Sequence, residues 1–164
     1  MQEASVSGRI FQINASHGGL PKLAQAQADV NSAGLSNDFQ TDTSVHGGPE
    51  RALCLFSLEH ILSLQAEGHP IFPGAIGENL TLTGLDWSLI QPGRRLKVGK
   101  NVLIEVTRFT TPCNNLDPYF LNEDYSRVSE KRHPGWARVY ARVLQSGEIK
   151  VGDEVRLIAQ GNDT

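Results

Sequence analysis

Short runs in which apolar and polar residues alternate recur along this chain, each followed by a glycine-bearing turn. In WARVYARVL, Ala137, Val139, Ala141 and Val143 alternate with Arg138, Tyr140, Arg142 and Leu144, the period of a strand with one buried face. A turn at Ser146-Gly147 follows, and EIKVGDEVRLI resumes as further strand. RRLKVGKNVLIEVTRF reads as a hairpin that turns at Gly99-Lys100-Asn101. SGRIFQIN, ERALCLF and ENLTLTGL are three more candidate strands. A parallel α/β sheet needs a helix between successive strands, and the chain has few, so the pattern predicts a mainly β, barrel-like fold with a few short covering helices.

The clearest helix is SLEHILSLQAEG. Ser57 is its N-cap, Glu59 lies in the first turn where the macrodipole favours an acid, and Gly68 with His69-Pro70 ends it. Leu58, Ile61 and Leu62 are its expected apolar stripe, which leaves His60 solvated or locally bonded. A second helical region is expected from about Leu116 to Lys131, where DPYFLNEDYSRVSEK mixes aromatic anchors with charges, as a cover over one barrel end. The stretch from Ala15 to Asp42 is polar enough to contain a long mobile loop. No repeat, low-complexity tract or linker divides the chain, so residues 1–164 read as one domain with its core at about 7–158.

Composition is that of an ordinary globular domain, with 39% apolar and 20% charged residues. A net charge of -3 offers no broad attraction for nucleic acid or an anionic membrane, so any anion site is local. The N-terminus lacks a signal-like sequence, and no run approaches the about 18 apolar residues that span a bilayer. A cytoplasmic location is expected. There, two cysteines in unlike settings stay reduced.

Those settings differ in kind. Cys54, in ALCLF, fits the habit of a small buried hydrophobe, whereas Cys113 lies in TTPCNNLDP among turn formers. It falls between a predicted strand and a predicted helix start, where unpaired backbone N–H groups and the nearby Arg108 stabilise a thiolate. From these residues alone, a turn-filling cysteine and an activated one are equally compatible. In VHGGPERAL, His46 precedes Gly47 and Gly48, which can turn backbone amides inward as an anion nest, with Arg51 as a fork beside them. A plain tight turn with a solvated arginine is the simpler reading there. In PGAIGENLTLTGL, Gly74 and Gly77 allow close backbone approach while Glu78 and Asn79 can read polar ligand edges, or the segment is only a loop before a strand. His17, His46, His60, His69 and His133 lack paired zinc-ligand spacing, and no motif orients His133 towards Cys113 for hydrolysis.

Taken in order, HGGPERALCLFSLEHI, FPGAIGENLTLTGLDW, RLKVGKNVLIEVTRFTTPCNNL and HPGWARVYARVLQSGEIKVGDEV resemble the MOSC domain, named for the C-terminal domain of molybdenum cofactor sulfurases. The likeness spans about Ser7 to Ile158 and points to the small bacterial stand-alone type. It implies a β-barrel that binds molybdenum cofactor, independently of pyridoxal phosphate. Cys113 matches the motif cysteine that ligates molybdenum in reductases or carries sulfur as a persulfide. His46, Gly47, Gly48, Arg51, Glu78, Asn79, Arg108, Asn114 and Arg138 are the implied cofactor-binding residues. Asn114-Asn115 follow the cysteine where many relatives place an aromatic or basic residue, which bears on substrate specificity.

The activity so implied is reduction of an N-hydroxylated small molecule. With no flavin, haem or iron–sulfur motif in the chain, electrons come from an external donor protein. A persulfide carrier served by a sulfur donor, and a non-catalytic cofactor-binding module, are the alternatives. Neither nucleic acid nor membrane is an expected partner.

Overall fold

A computed structural model describes residues 5–38 and 48–160. Its strands are β1 (Ser7–Ala15), β2 (Leu23–Gln25), β3 (Gln27–Asn31), β4 (Gly34–Leu35), β5 (Leu53–Ser57), β6 (Leu80–Thr83), β7 (Arg95–Val98), β8 (Val102–Phe109), β9 (Val139–Gln145), β10 (Gly147–Lys150) and β11 (Glu154–Leu157). One α-helix, α1 (Leu58–Ala66), lies between β5 and β6. The ring runs β1-β6-β5-β9-β8-β7-β11 and closes through β11 against β1, with β2 added beside β1. Closure leaves none of these seven strands with a full unpaired edge. β10, β3 and β4 form a separate small sheet.

All ring pairings but one are antiparallel. β5 and β6 run parallel, Leu55 opposite Leu80, with α1 in the connection between them. A parallel neighbour cannot be reached by a hairpin, so the helix supplies the crossover. Ser57 caps it, its hydroxyl accepting from the His60 N–H at 3.1 Å. Ile61 and Leu64 bury against the barrel, whereas Leu62 is 52% exposed and Leu58 half-buried. The expected stripe is thus corrected to i, i+3 from Ile61, the face that the β5 exit angle turns inward. His60 is locally bonded: its ring contacts Ser57 Oγ and the Gly135 carbonyl and packs on Trp136.

The core fills the barrel with Ile10, Ile13, Leu55, Leu80, Leu96, Ile104, Val139 and Val155, among others. Ile10 and Ile13 both point inward although three apart, which a strict period of two forbids. A bulge in the β1–β6 ladder between Ile10 and Gln12 supplies the extra residue and turns Phe11 outward.

Three expectations need correction. The region after Cys113 is not α-helical but a chain of 3-10 turns, Asn114–Tyr119, Leu121–Glu123 and Tyr125–Val128. Pro118 and the positive φ of Asn122 and Glu123 break continuous helix, yet Leu116, Phe120 and Val128 still anchor the segment. Arg127 fixes it further, with Nε and Nη2 donating to Glu67 at 2.9 and 2.7 Å and its guanidinium 4.0 Å over Trp136. The polar stretch from Ala15 contains β2, β3 and β4 rather than one long loop, because β1 and β10 provide partners that alternation in so few residues cannot announce. Residues 39–42 lie outside the described residues. Finally, EIKVGDEVRLI breaks at Val151-Gly152-Asp153 into β10 and β11, which join different sheets.

Candidate functional site

Cys113 lies where β8 gives way to the 3-10 cover. Beyond Phe109 the chain keeps one ladder bond, Thr110 N–H to the Arg138 carbonyl at 3.0 Å, and then leaves the sheet. Cys113 is extended and exposed, and its carbonyl accepts from Leu116 N–H at 3.0 Å. Buried Leu116 therefore pins the turn that carries the thiol. The Cys113 sulfhydryl donates to Asn115 Oδ1 at 2.6 Å. Both side chains line a cleft of about 690 Å³, its open mouth included.

The same cleft is lined by three cations. Arg138 is only 7% exposed; its Nη1 donates to the Ile76 carbonyl at 2.7 Å, while its Nε has no acceptor. Among the described residues no carboxylate forms an ion pair with it. A buried guanidinium with one carbonyl bond and no counter-ion is costly unless an anion joins it. Arg51, at the end of the 3-10 turn Pro49–Arg51, stands 5.7 Å over the Tyr140 ring. Burial pushes the Tyr140 phenol up to about 12, so it keeps its proton at neutral pH. Lys22 is the third cation, paired with Asp38 at 2.6 Å. Cys54 lies on the same cleft, 6% exposed, its thiol pushed up to about 11 by burial.

A buried polar frame holds these walls. Asn79 Oδ1 accepts from Cys54 N–H at 2.9 Å, and its Nδ2 donates to Asp38 Oδ2 at 2.9 Å and to the Asn14 carbonyl at 3.3 Å. Glu78 lies behind it with Oε2 accepting from Gly74 N–H and Thr81 Oγ1, both at 3.0 Å. Its Oε1 has no partner, and burial raises the carboxyl above the ordinary carboxylate range. Gly74 has a positive φ of 88°, and a Cβ there would meet the Lys22 carbonyl at 2.6 Å. Lys22 N–H in turn donates to the Gly74 carbonyl at 2.9 Å. The glycine lets two loops touch, which places Lys22 on the cleft.

The exposed Cys113 thiol thus shares one cleft with the buried Arg138 and the half-buried Arg51. Residues 42–156 match the MOSC domain. The chain belongs to the MOSC domain family. It is 30% identical over 150 residues to protein YiiM of Escherichia coli strain K12, covering 86% of this chain and 65% of that one. Over 128 residues it is 29% identical to the uncharacterized protein YflK of Bacillus subtilis strain 168, with 77% and 57% covered. A Gibberella moniliformis protein named reductase is 33% identical over 121 residues, 71% of this chain and 21% of its own. The chain thus spans less than two-thirds of the length of each of these relatives. The crystal structure of YiiM from Geobacillus stearothermophilus superposes with a TM-score of 0.71 at 25% identity, over 95% of this chain and 77% of that one. The YuaD protein from Bacillus subtilis shares the fold, with a TM-score of 0.74 at 16% identity over 94% and 97%.

Within this MOSC domain, the residues singled out from sequence divide into several groups. Cys113, Arg51 and Arg138 meet at one cleft, together with Asn79 and Gly77. Arg138 was expected on the polar face of its strand; it is buried because that face turns into the cleft rather than to solvent. Asn79 lines the wall, but both ends of its carboxamide are engaged by protein groups. Glu78 does not reach the cleft and serves the frame. Arg108 is exposed on β8 and Asn114 is exposed beside the thiol, both outside the cleft. Gly48 is exposed with a φ of 79°, also outside it; His46 and Gly47 lie outside the described residues. Sequence reasoning missed Lys22 and Tyr140, and it named Asn115 only as a departure from the family pattern beside Asn114. Tyr140 was legible in principle, since residues two apart on a strand share a face and Arg138 had been chosen. Nothing local marked Lys22.

Among the described residues no three His, Cys, Asp or Glu side chains converge as a metal cage, and no helix is long and apolar enough to cross a membrane.

Proposed function

We propose that this MOSC domain binds molybdenum cofactor in the cleft and reduces N-hydroxylated small molecules with electrons from a separate donor protein in the cytoplasm. One observation carries the reading: the buried Arg138 guanidinium, which has no ion-pair partner among the described residues, shares a cleft with the exposed Cys113 thiol. The donor set fits a phosphorylated pyranopterin metal group. A soft thiolate suits a thiophilic metal, and a guanidinium fork suits a phosphate. The name reductase borne by the Gibberella relative supports redox chemistry.

When bound, the cofactor supplies a two-electron redox metal that cleaves N–O bonds. The chain's own residues set the conditions for that chemistry. Cys113 offers the ligand sulfur; Arg138 and Arg51, on the same cleft, anchor anionic oxygens. Tyr140 holds a phenolic proton beside Arg51, which makes that surface a hydrogen-bond donor rather than an anion at neutral pH. Leu116 and Ile76 supply the apolar wall that limits water.

Expression in a host that makes molybdenum cofactor, followed by elemental and pterin analysis, tests this. One molybdenum and one pterin per folded chain, with reduction of an aryl amidoxime by a dithionite-reduced viologen, is the expected result. Folded protein free of both metal and pterin sinks the reading. The exposure of Cys113 to a macromolecular donor favours one second reading, a persulfide carrier. A sulfane-sulfur adduct on Cys113 without metal is its signature.

A further inference from the structure

Lys22 lines this cleft and is paired with Asp38 behind the lining, and neither side chain is more than 10% exposed. Their hydrogen-bond accounts are unequal. The Lys22 ammonium has three N–H donors, and among the described residues only Asp38 Oδ1 takes one. Asp38 is far better served: Oδ1 also accepts from Ser16 N–H at 3.0 Å, and Oδ2 from Asn79 Nδ2 at 2.9 Å. If Lys22 swings away, the carboxylate keeps two neutral donors. If Asp38 is lost, the ammonium keeps none.

The backbone of Lys22 is fixed where it meets Gly74. Its backbone N–H is tied to the Gly74 carbonyl at 2.9 Å, and Gly74 has no Cβ to push it away. Lys22 lines a cleft whose other cations, Arg51 and Arg138, have no carboxylate from the cleft lining. An anion seated beside Arg138 therefore competes with Asp38 for the same ammonium.

We propose that Asp38 is a latch on a third anion-binding arm: it holds Lys22 neutralised in the empty cleft and hands the ammonium to a dianionic phosphate group when one binds. The inference rests on the reading that this cleft holds an anionic ligand. It adds the positioning residue that sets the affinity. A closed pair suppresses the cleft's attraction for stray anions, because the arm opens only for a group that outbids Asp38.

Binding of inorganic phosphate to the full chain at about pH 8, where the dianion dominates, tests the latch by calorimetric titration. Asp38→Asn keeps acceptor and shape while freeing Lys22, so it should tighten phosphate about tenfold, the worth of one charge-assisted hydrogen bond. The double variant Asp38→Asn with Lys22→Met should lose that gain and bind phosphate no more tightly than the unaltered protein, because the arm itself is gone. Glu148→Gln, on β10, adds the same unit of charge remote from the cleft and should change nothing. Phosphate affinity in Asp38→Asn equal to that of the unaltered protein overturns the latch. So does a double variant as tight as Asp38→Asn, because the gain would then owe nothing to Lys22. Should Asp38→Asn not fold, a phosphate-soaked crystal of the unaltered protein decides: Lys22 Nζ on phosphate supports the latch, and Nζ still on Asp38 refutes it. Arg138→Met keeps the two ideas apart. Undiminished phosphate binding in that variant removes the anionic-cleft reading and the latch with it.

Discussion

Asn79 and Cys54 are bonded to each other twice through the main chain and side chain. Asn79 N–H donates to the Cys54 carbonyl at 2.7 Å, and Cys54 N–H donates to Asn79 Oδ1 at 2.9 Å. The carboxamide thus completes the pairing of β5 just where β6 begins, while its other end holds Asp38. Asn79→Ala should strand the Cys54 N–H and cost about 1–3 kcal/mol per orphaned buried group. Chemical denaturation should therefore show a lower midpoint with unchanged slope. An Asn79→Ala protein of full stability would mean that the residue serves a ligand and not the frame.

The two thiols should part company under alkylation. Cys113 is exposed, whereas Cys54 is buried and its thiol is pushed up to about 11. Iodoacetamide on the native protein near pH 8 should label Cys113 and spare Cys54, read by peptide mass spectrometry. Cys113→Ser should abolish N-hydroxyl reduction and sulfur loading with little change in melting temperature. Cys54→Ser should cost about 1–3 kcal/mol with activity retained, because a buried hydroxyl lacks a partner there. Activity of Cys113→Ser equal to that of the unaltered protein, at matched cofactor content, removes the cysteine from the chemistry.

Both arginines of the cleft should matter for cofactor retention, in different ways. Arg138 is buried, so its attraction is weakly screened; Arg51 is half-buried and more exposed to salt. In a release assay, Arg138→Met should lose cofactor fastest at every salt concentration. Arg51→Ala should release it faster than the unaltered protein at low salt and converge with it as salt rises. Equal retention by Arg51→Ala throughout the series would make Arg51 structural only.

Glu78 makes a pH-dependent contribution whose sign is fixed by its burial. Its carboxyl is raised in the folded protein, so folding favours the protonated form; that stability is present below the ordinary carboxylate value and is lost as pH rises through the folded one. Glu78→Gln keeps an acceptor for Gly74 N–H and Thr81 Oγ1, and it presents an N–H₂ where Oε1 now lacks a partner. Unfolding measured from pH 5 to pH 8 should decline less steeply for the variant. Parallel curves would show that Glu78 does not titrate across that range.

How far the sequence could be read depended on how local each signal is. Ser57, Glu59 and Gly68 announce α1 because capping is settled within one turn, and the boundary came out as expected. The stripe of that helix was harder, since three leucine or isoleucine positions fit more than one rotation. Which one faces inward depends on how β5 delivers the chain. The run after Cys113 shows the opposite case: its aromatic anchors were legible, but Pro118 and two left-handed residues made turns of what composition alone would allow as helix.

The sequence by itself determined the strand-rich character, the hairpin at Gly99-Lys100-Asn101, the helix after Ser57, the family, and the separation of one turn cysteine from one core cysteine. These are carried by neighbours in sequence, through alternation, capping and turn conformations. Only the tertiary structure decided that Arg138 is buried, that Glu78 and Asn79 brace the wall, that Asn115 and not Asn114 meets the thiol, and that Lys22 is drawn to Asp38. Contacts between segments far apart in the chain decided these matters, Arg138 with Ile76, Asn79 with Cys54 and Lys22 with Gly74. Burial there depends on which surfaces meet, a quantity no residue carries in its own neighbourhood.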